Sequence, residues 1–157
     1  MDYQTIETME KTFKKVHTAK DLAISAILVA AGTGLYFLNA GLGLLLAASG
    51  LLMLLFYKAG YKCQGDNVLL KKYAMDIPRS CRESIKEFLE GKNVDPKICK
   101  DDNGAVVRLE VYCNDARSVA YAQLFDFANY DYVPLSGIVE LRGPRADTLI
   151  RKLRGTN

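Results

Sequence analysis

The sequence predicts a membrane protein, with a two-helix transmembrane hairpin followed by a small α+β domain with an antiparallel sheet. Three observations predict it. Leu22 to Tyr57 is a run of thirty-six residues without a charged side chain, in a chain whose composition is 25% charged. Asn39-Ala40-Gly41-Leu42-Gly43 interrupts that run midway with residues that tolerate turn conformations. The hundred or so residues after it return to ordinary polar composition, with turn signals spaced as in a small folded domain.

Length decides between one helix and two. A single straight helix through the run would reach about 54 Å, against a hydrocarbon core of about 30 Å. Two spans, about 22–38 and 42–57, each reach about 25 Å, the short end for a crossing. Lys20 and Lys58 flank them and can snorkel into the headgroups. A re-entrant hairpin confined to one leaflet is the alternative. A cleaved signal peptide fits worse, because its apolar region is usually about 7–15 residues.

The lysines set the orientation. Lys11, Lys14, Lys15 and Lys20 precede the first span, Lys58, Lys62, Lys71 and Lys72 follow the second, and the turn carries no charge. Under the positive-inside rule both termini are expected in the cytoplasm. The plan is similar to that of many small bacterial inner-membrane proteins. A bacterial-type inner (plasma) membrane is therefore the expected location.

Residues 1–21 are expected to form an amphipathic N-terminal helix, because Ile6, Met9, Phe13 and Val16 recur at helical steps. Three roles fit it: packing on the protein's own soluble domain, lying on the membrane surface, or forming a coiled-coil seam. Within the spans, small residues repeat at steps of four. Ala26, Ala30 and Gly34 do so on the first helix, Gly43 and Ala47 on the second. In lipid, such small-xxx-small spacing lets backbones approach closely where hydrophobicity gives no drive to associate. The hairpin packing on itself is the first use, and further small residues leave room for a second partner.

The cytoplasmic α+β domain is expected over 58–157. Tyr61 to Asn67 reads as a polar connector, and Val68 to Ile77 reads equally as strand or helix. Pro78 closes that segment. Ser80 with Glu83 then forms a capping-box pattern for a helix to Glu90, ended by Gly91. Asn93 to Lys100 reads as a loop, and Asp102-Asn103-Gly104 is a turn signal. From Ala105 to Cys113 the pattern alternates, Val107, Leu109, Val111 and Cys113 on one side and Arg108 and Glu110 on the other. Asn114 to Arg117 reads as a four-residue loop. Ser118 to Phe127 reads as the return strand, with a helix over 116–127 as its rival. Gly137 to Leu141 is a third strand, and Pro144 opens a last helix over Arg145 to Leu153.

Little in the chain points to chemistry. The one histidine, His17, precedes the membrane run, so no Ser-His-Asp or Cys-His site can be assembled in the later domain. Cys63, Cys81, Cys99 and Cys113 stand 18, 18 and 14 residues apart with no CxxC pair. They read as buried apolar side chains rather than metal ligands. No ionisable residue lies within the spans, which argues against an ion path. No enzyme activity, cofactor or metal is expected. The formal net charge of +3 is too small, and too spread out, to indicate nucleic acid.

Two features remain as candidate surfaces. Leu124 to Pro134 packs four aromatics among Asp126, Asn129 and Asp131. Core and sheet edge explain most of them. Asp126, Tyr130 and Tyr132 are the candidates for binding a protein partner, since tyrosine offers rigid contact area with a polar tip. Arg145, Arg151, Lys152 and Arg154 gather near the end of the chain, as a solvated helix face or a contact to lipid headgroups. The expected function is a non-enzymatic, membrane-anchored interaction module. Its hairpin tethers to the lipid bilayer and oligomerises, and its cytoplasmic domain binds a protein partner. The alternatives are an accessory subunit of a larger membrane complex, a pore-forming holin-like protein, or an enzyme.

Overall fold

A computed structural model describes residues 9–63, 67–98, 107–128 and 130–155. The chain divides into two compact units, one built from residues 1–14 and 63–157, the other from 15–62. The described elements are helices and an antiparallel sheet, an α+β chain.

The second unit holds the apolar run as two helices, α2 (Ala19–Tyr36) and α3 (Ala40–Phe56). By length and composition α2 is long and apolar enough to cross a membrane, and α3, at 17 residues, is a shorter apolar helix. Thr18 caps α2 through a reciprocal pair: its hydroxyl accepts from the Asp21 amide (3.2 Å) and its own amide donates to Asp21 Oδ2 (2.9 Å). The same carboxylate accepts from the Ala59 amide at 3.2 Å, which ties the start of α2 to the chain leaving α3. Asp21 thus closes the base of the hairpin.

The turn differs from the sequence expectation. It occupies Phe37 to Asn39, and Asn39 caps α3 by accepting from the Leu42 amide at 3.2 Å. Gly41 and Gly43 lie inside α3, and neither has a positive φ. Gly43 serves close approach instead, since a Cβ there would stand 2.3 Å from the Tyr36 nitrogen.

The N-terminal segment also differs. Among the described residues before α2, Met9–Thr12 is helical (α1), and Phe13–Val16 is a strand, β1, paired with β2 (Gly60–Cys63). Ladder hydrogen bonds to β2 override the helical spacing of the apolar residues over Phe13 to Val16. Ile6 lies outside the described residues.

In the first unit, β3 (Lys71–Ile77), β4 (Val107–Cys113), β5 (Val119–Ala128) and β6 (Asp131–Pro134) pair antiparallel in that order. A further strand, β7 (Val139–Arg142), also pairs with β5. The segment is therefore strand rather than helix from Val119 on, and 71–77 is strand too. A single 3₁₀ turn (Arg79–Cys81) leads into α4 (Arg82–Leu89), and α5 (Pro144–Gly155) ends the described chain. The expected capping box is absent: Ser80 sits inside the 3₁₀ turn, and α4 has no side-chain cap. Gly91 does stop the helix, at φ +98°. The β4–β5 loop falls one residue later than expected, since the Asn114 amide donates to the Val119 carbonyl across it. The turn at Asp102 to Gly104 and Cys99 lie outside the described residues.

The core lies on one face of the sheet. Val107, Leu109 and Val111 of β4 meet Ile85 of α4 and Leu149 and Ile150 of α5 there, each worth about 1.5–3 kcal/mol when fully buried. The opposite face is covered as well. Phe13 stacks on Tyr112 (4.8 Å between centroids) and meets Tyr121 edge-on (5.0 Å), and the Met9 amide donates to Gln123 Oε1 (3.1 Å). Glu110, expected on the side opposite Val107, Leu109 and Val111, is there, buried on that face and paired with Lys72 at 3.1 Å.

Candidate functional site

The aromatic segment forms the β5–β6 hairpin. Ala128 pairs with Asp131, and Tyr130 lies at the tip between the two strands. Tyr130 stands there 96% exposed with φ +64°. An L-residue in that left-handed region costs about 1–2 kcal/mol relative to the right-handed one. A turn of this kind ordinarily takes glycine or asparagine. Phe127 and Val133, both exposed, lie beside it on the two strands.

Tyr132 is differently placed. Its ring packs edge-on against Phe127 (5.2 Å), the Arg108 guanidinium lies 3.8 Å from its centroid, and its hydroxyl donates to Asp76 Oδ1 at 3.4 Å. Arg108 in turn donates from Nε to Asp76 Oδ1 at 2.8 Å and from a terminal nitrogen to Oδ2 at 3.4 Å. That fork, with the Asp76 charge, holds the guanidinium pKa above even its ordinary value. Asp76, Arg108 and Tyr132 thus pin the edge strand β6 to β3 and β4. Sequence reasoning missed this cluster. The sequence named Tyr132 as a binding candidate and set Arg108 on the side of β4 away from the core, with nothing to name Asp76 as the partner of both.

Asp126 faces the other way. It is opposite Val107 in the ladder, and Val107 belongs to the core face. Its Oδ2 lies 3.8 Å from an Arg82 terminal nitrogen, while its Oδ1 is buried without a hydrogen-bond partner among the described residues. The three sequence candidates are therefore not one patch. Tyr130 is free at a tip, Tyr132 is a structural clamp, and Asp126 belongs to the α4 side of the sheet.

The four basic residues of α5 are engaged within their own unit. Arg145 donates to the Phe88 carbonyl and lies over the Phe88 ring (4.9 Å). Arg151 pairs with Asp147, Lys152 with Asp95, and Arg154 donates to the Tyr73 hydroxyl at 3.3 Å. A lipid-headgroup site would have to compete with each of these.

The small residues of the hairpin divide unexpectedly. Gly43 and Ala47 do face α2, but Gly34 does not face α3, and Ala26 and Ala30 line a groove that Leu51 and Leu54 of α3 also line. A Cβ on Gly32 would lie 2.4 Å from the Ala47 nitrogen and one on Gly50 would lie 2.9 Å from the Ser25 carbonyl oxygen, whereas one on Gly34 would meet nothing within 4 Å. Ser25 and Gly32 on α2, with Gly43 and Gly50 on α3, form the contact at seven-residue spacing. Ala26, Ala30 and Gly34 are exposed. Beside them runs an apolar groove of about 350 Å³ lined by Leu22, Ser25, Ala26, Val29, Ala30 and Leu54, among others.

A more polar hollow of about 480 Å³ lies between the loop after α4 and the start of α5. Its cations are already paired, Lys92 with Glu87 at 2.9 Å and Arg145 with the Phe88 carbonyl. Among the described residues no group of three His, Cys, Asp or Glu is placed to hold a metal. Cys81 and Cys113 are buried and Cys63 half-buried, and burial pushes the Cys113 thiol pKa up. Compared with known protein families, characterised proteins and solved structures, the chain finds no match.

Proposed function

We propose that this chain is a membrane-anchored interaction module, its apolar helices a two-helix transmembrane hairpin and its α+β unit a cytoplasmic binder of a protein partner. The observation that carries the reading is Tyr130, a large aromatic at 96% exposure, held at positive φ on a hairpin tip beside exposed Phe127 and Val133. A ring that serves no core and occupies a backbone position suited to glycine fits recognition better than folding. The hairpin reading is supported by the outward faces of α2 and α3, where Ile27, Leu44, Leu45 and Leu55 are each 65–67% exposed. Apolar surface of that extent is stable against lipid and a liability in water.

The reading gives no role to nucleophiles, metals or cofactors. Its test has two arms. The full chain should float with phospholipid vesicles and resist carbonate extraction. Purified in mild detergent and used as bait, it should retain a partner that Tyr130→Ala loses at unchanged fold. Release by carbonate removes the anchor, and equal capture by Tyr130→Ala removes the tip.

A further inference from the structure

We propose that the outer edge of β3 is the interface for a second copy of this chain, the two β3 strands running antiparallel about a two-fold axis at Ala74. The inference needs neither the membrane reading nor the Tyr130 tip. Among the described residues, β3 stands at the end of the sheet order and pairs with β4 alone. The outer edge of such a strand presents backbone amides and carbonyls as a template for another strand. Ala74, midway along Lys71–Ile77, is exposed.

Charge complementarity names the occupant. With the axis at Ala74, Lys72 lies opposite Asp76 of the partner subunit, and Asp76 opposite Lys72 of the partner subunit. A two-fold axis repeats each contact, so one surface serves both copies. Lys72, Ala74 and Asp76 alternate onto the sheet face away from the core, while Met75 and Ile77 belong to the core side. Tyr73 then meets Met75 of the partner subunit, an aromatic against a thioether. Other arrangements lose the ion pairs. An axis at Tyr73 sets Lys72 opposite an alanine, and an axis at Met75 does the same to Asp76. Parallel strands in register set lysine against lysine and aspartate against aspartate, which is unfavourable. Lysines on an edge strand ordinarily repel other strands; in this one register they become its partners. Asp76 has room for the contact. It accepts from Arg108 at 2.8 and 3.4 Å, on the β4 side, and its side chain is 41% exposed. Pairing sets that carboxylate between two cations. Lys72 can keep Glu110, at 3.1 Å, because an ammonium carries three donors.

The test uses the full chain in mild detergent, with sedimentation reporting its mass as concentration is raised. The parent should form a dimer. Ala74→Lys should weaken it about fivefold, because the two introduced lysines face each other across the axis. Its own neighbour on β4 is Glu110, so the melting midpoint should not fall. Ala74→Glu should weaken the dimer as well. An equimolar mixture of the two variants should recover at least the parent's association, since lysine then faces glutamate. That recovery distinguishes a contact at the axis from a folding defect in either variant. Tyr130→Ala should leave the dimer unchanged. A monomeric parent overturns the interface, as does an Ala74→Lys chain that associates like the parent. A mixture that stays as weak as its components overturns it too. A different protein held in place of the second copy, and released by Ala74→Lys, would assign the edge to that protein and also overturn self-pairing. Failure of partner capture at Tyr130 with the dimer intact would touch only the function proposed above.

Discussion

At the scale of single residues, the two tyrosines of one hairpin should behave in opposite ways. Tyr130 contributes little to its own fold: its ring is in solvent and its φ of +64° is unfavourable. Tyr130→Ala should shift unfolding of the full chain by no more than about 0.5 kcal/mol. Tyr130→Gly should melt no lower than the parent, because relief of the left-handed strain offsets the chain entropy that glycine adds. Tyr132→Ala should cost about 2 kcal/mol, as it removes the Phe127 edge contact, the seat of Arg108 and a hydrogen bond to Asp76. Unfolding followed by near-ultraviolet circular dichroism separates the three, and a strongly destabilised Tyr130→Ala would place that ring in the core. Cys113 gives a second contrast. Burial raises its pKa, so the neutral thiol is the folded form. The stability that neutral thiol contributes is fully present below the ordinary thiol pKa and is lost as pH rises through the higher folded value. At neutral pH, Cys63 should react with a maleimide well before Cys113, and comparable rates in the folded chain would contradict the burial.

At the scale of elements, the α2–α3 contact is tested by where a side chain is added. Gly32→Leu should separate the helices, since even its Cβ would stand 2.4 Å from the Ala47 nitrogen. Gly34→Leu should leave hairpin stability unchanged, read as thermal loss of helical ellipticity in detergent. Equal loss from both would contradict a close α2–α3 approach at Gly32. The sequence carries two candidate stripes of small residues on α2 and cannot rank them, because a helix that is apolar all round has no periodicity to mark its inner face. The five-strand sheet was legible where alternation survives, as along Val107 to Cys113. It was less so in β5, where Ala120 through Phe125 are all buried because the sheet is covered on both faces. The strand β1 was illegible for a different reason. Met9 and Phe13 are buried as their apolar character demands, yet the ladder to β2, not local spacing, decides the backbone at Phe13. The partner surface fared similarly: composition located the β5–β6 segment, but only register separates Tyr130, Tyr132 and Asp126 onto a tip, one face and the other.

At the scale of the whole molecule, the proposal depends on which side of a membrane the α+β unit occupies. Eight lysines flank the apolar run on its two outer sides, and the connection Phe37 to Asn39 between α2 and α3 carries none. Moving that connection across a bilayer therefore translocates no charge, whereas the reverse orientation would carry lysines at both ends of the hairpin. Asp21 does not change the balance, since acids count for little in the rule, and its carboxylate is occupied by the Thr18 and Ala59 amides. The reducing cytoplasm also suits free thiols at Cys63 and Cys113. An impermeant maleimide applied to intact cells should therefore leave Cys63 unlabelled. Permeabilisation should expose Cys63, and denaturation should be needed for Cys81 and Cys113. Labelling of Cys63 from outside, in cells whose cytoplasmic markers stay protected, would reverse the orientation, place the Tyr130 tip outside the cytoplasm and require an extracellular partner in place of the one proposed.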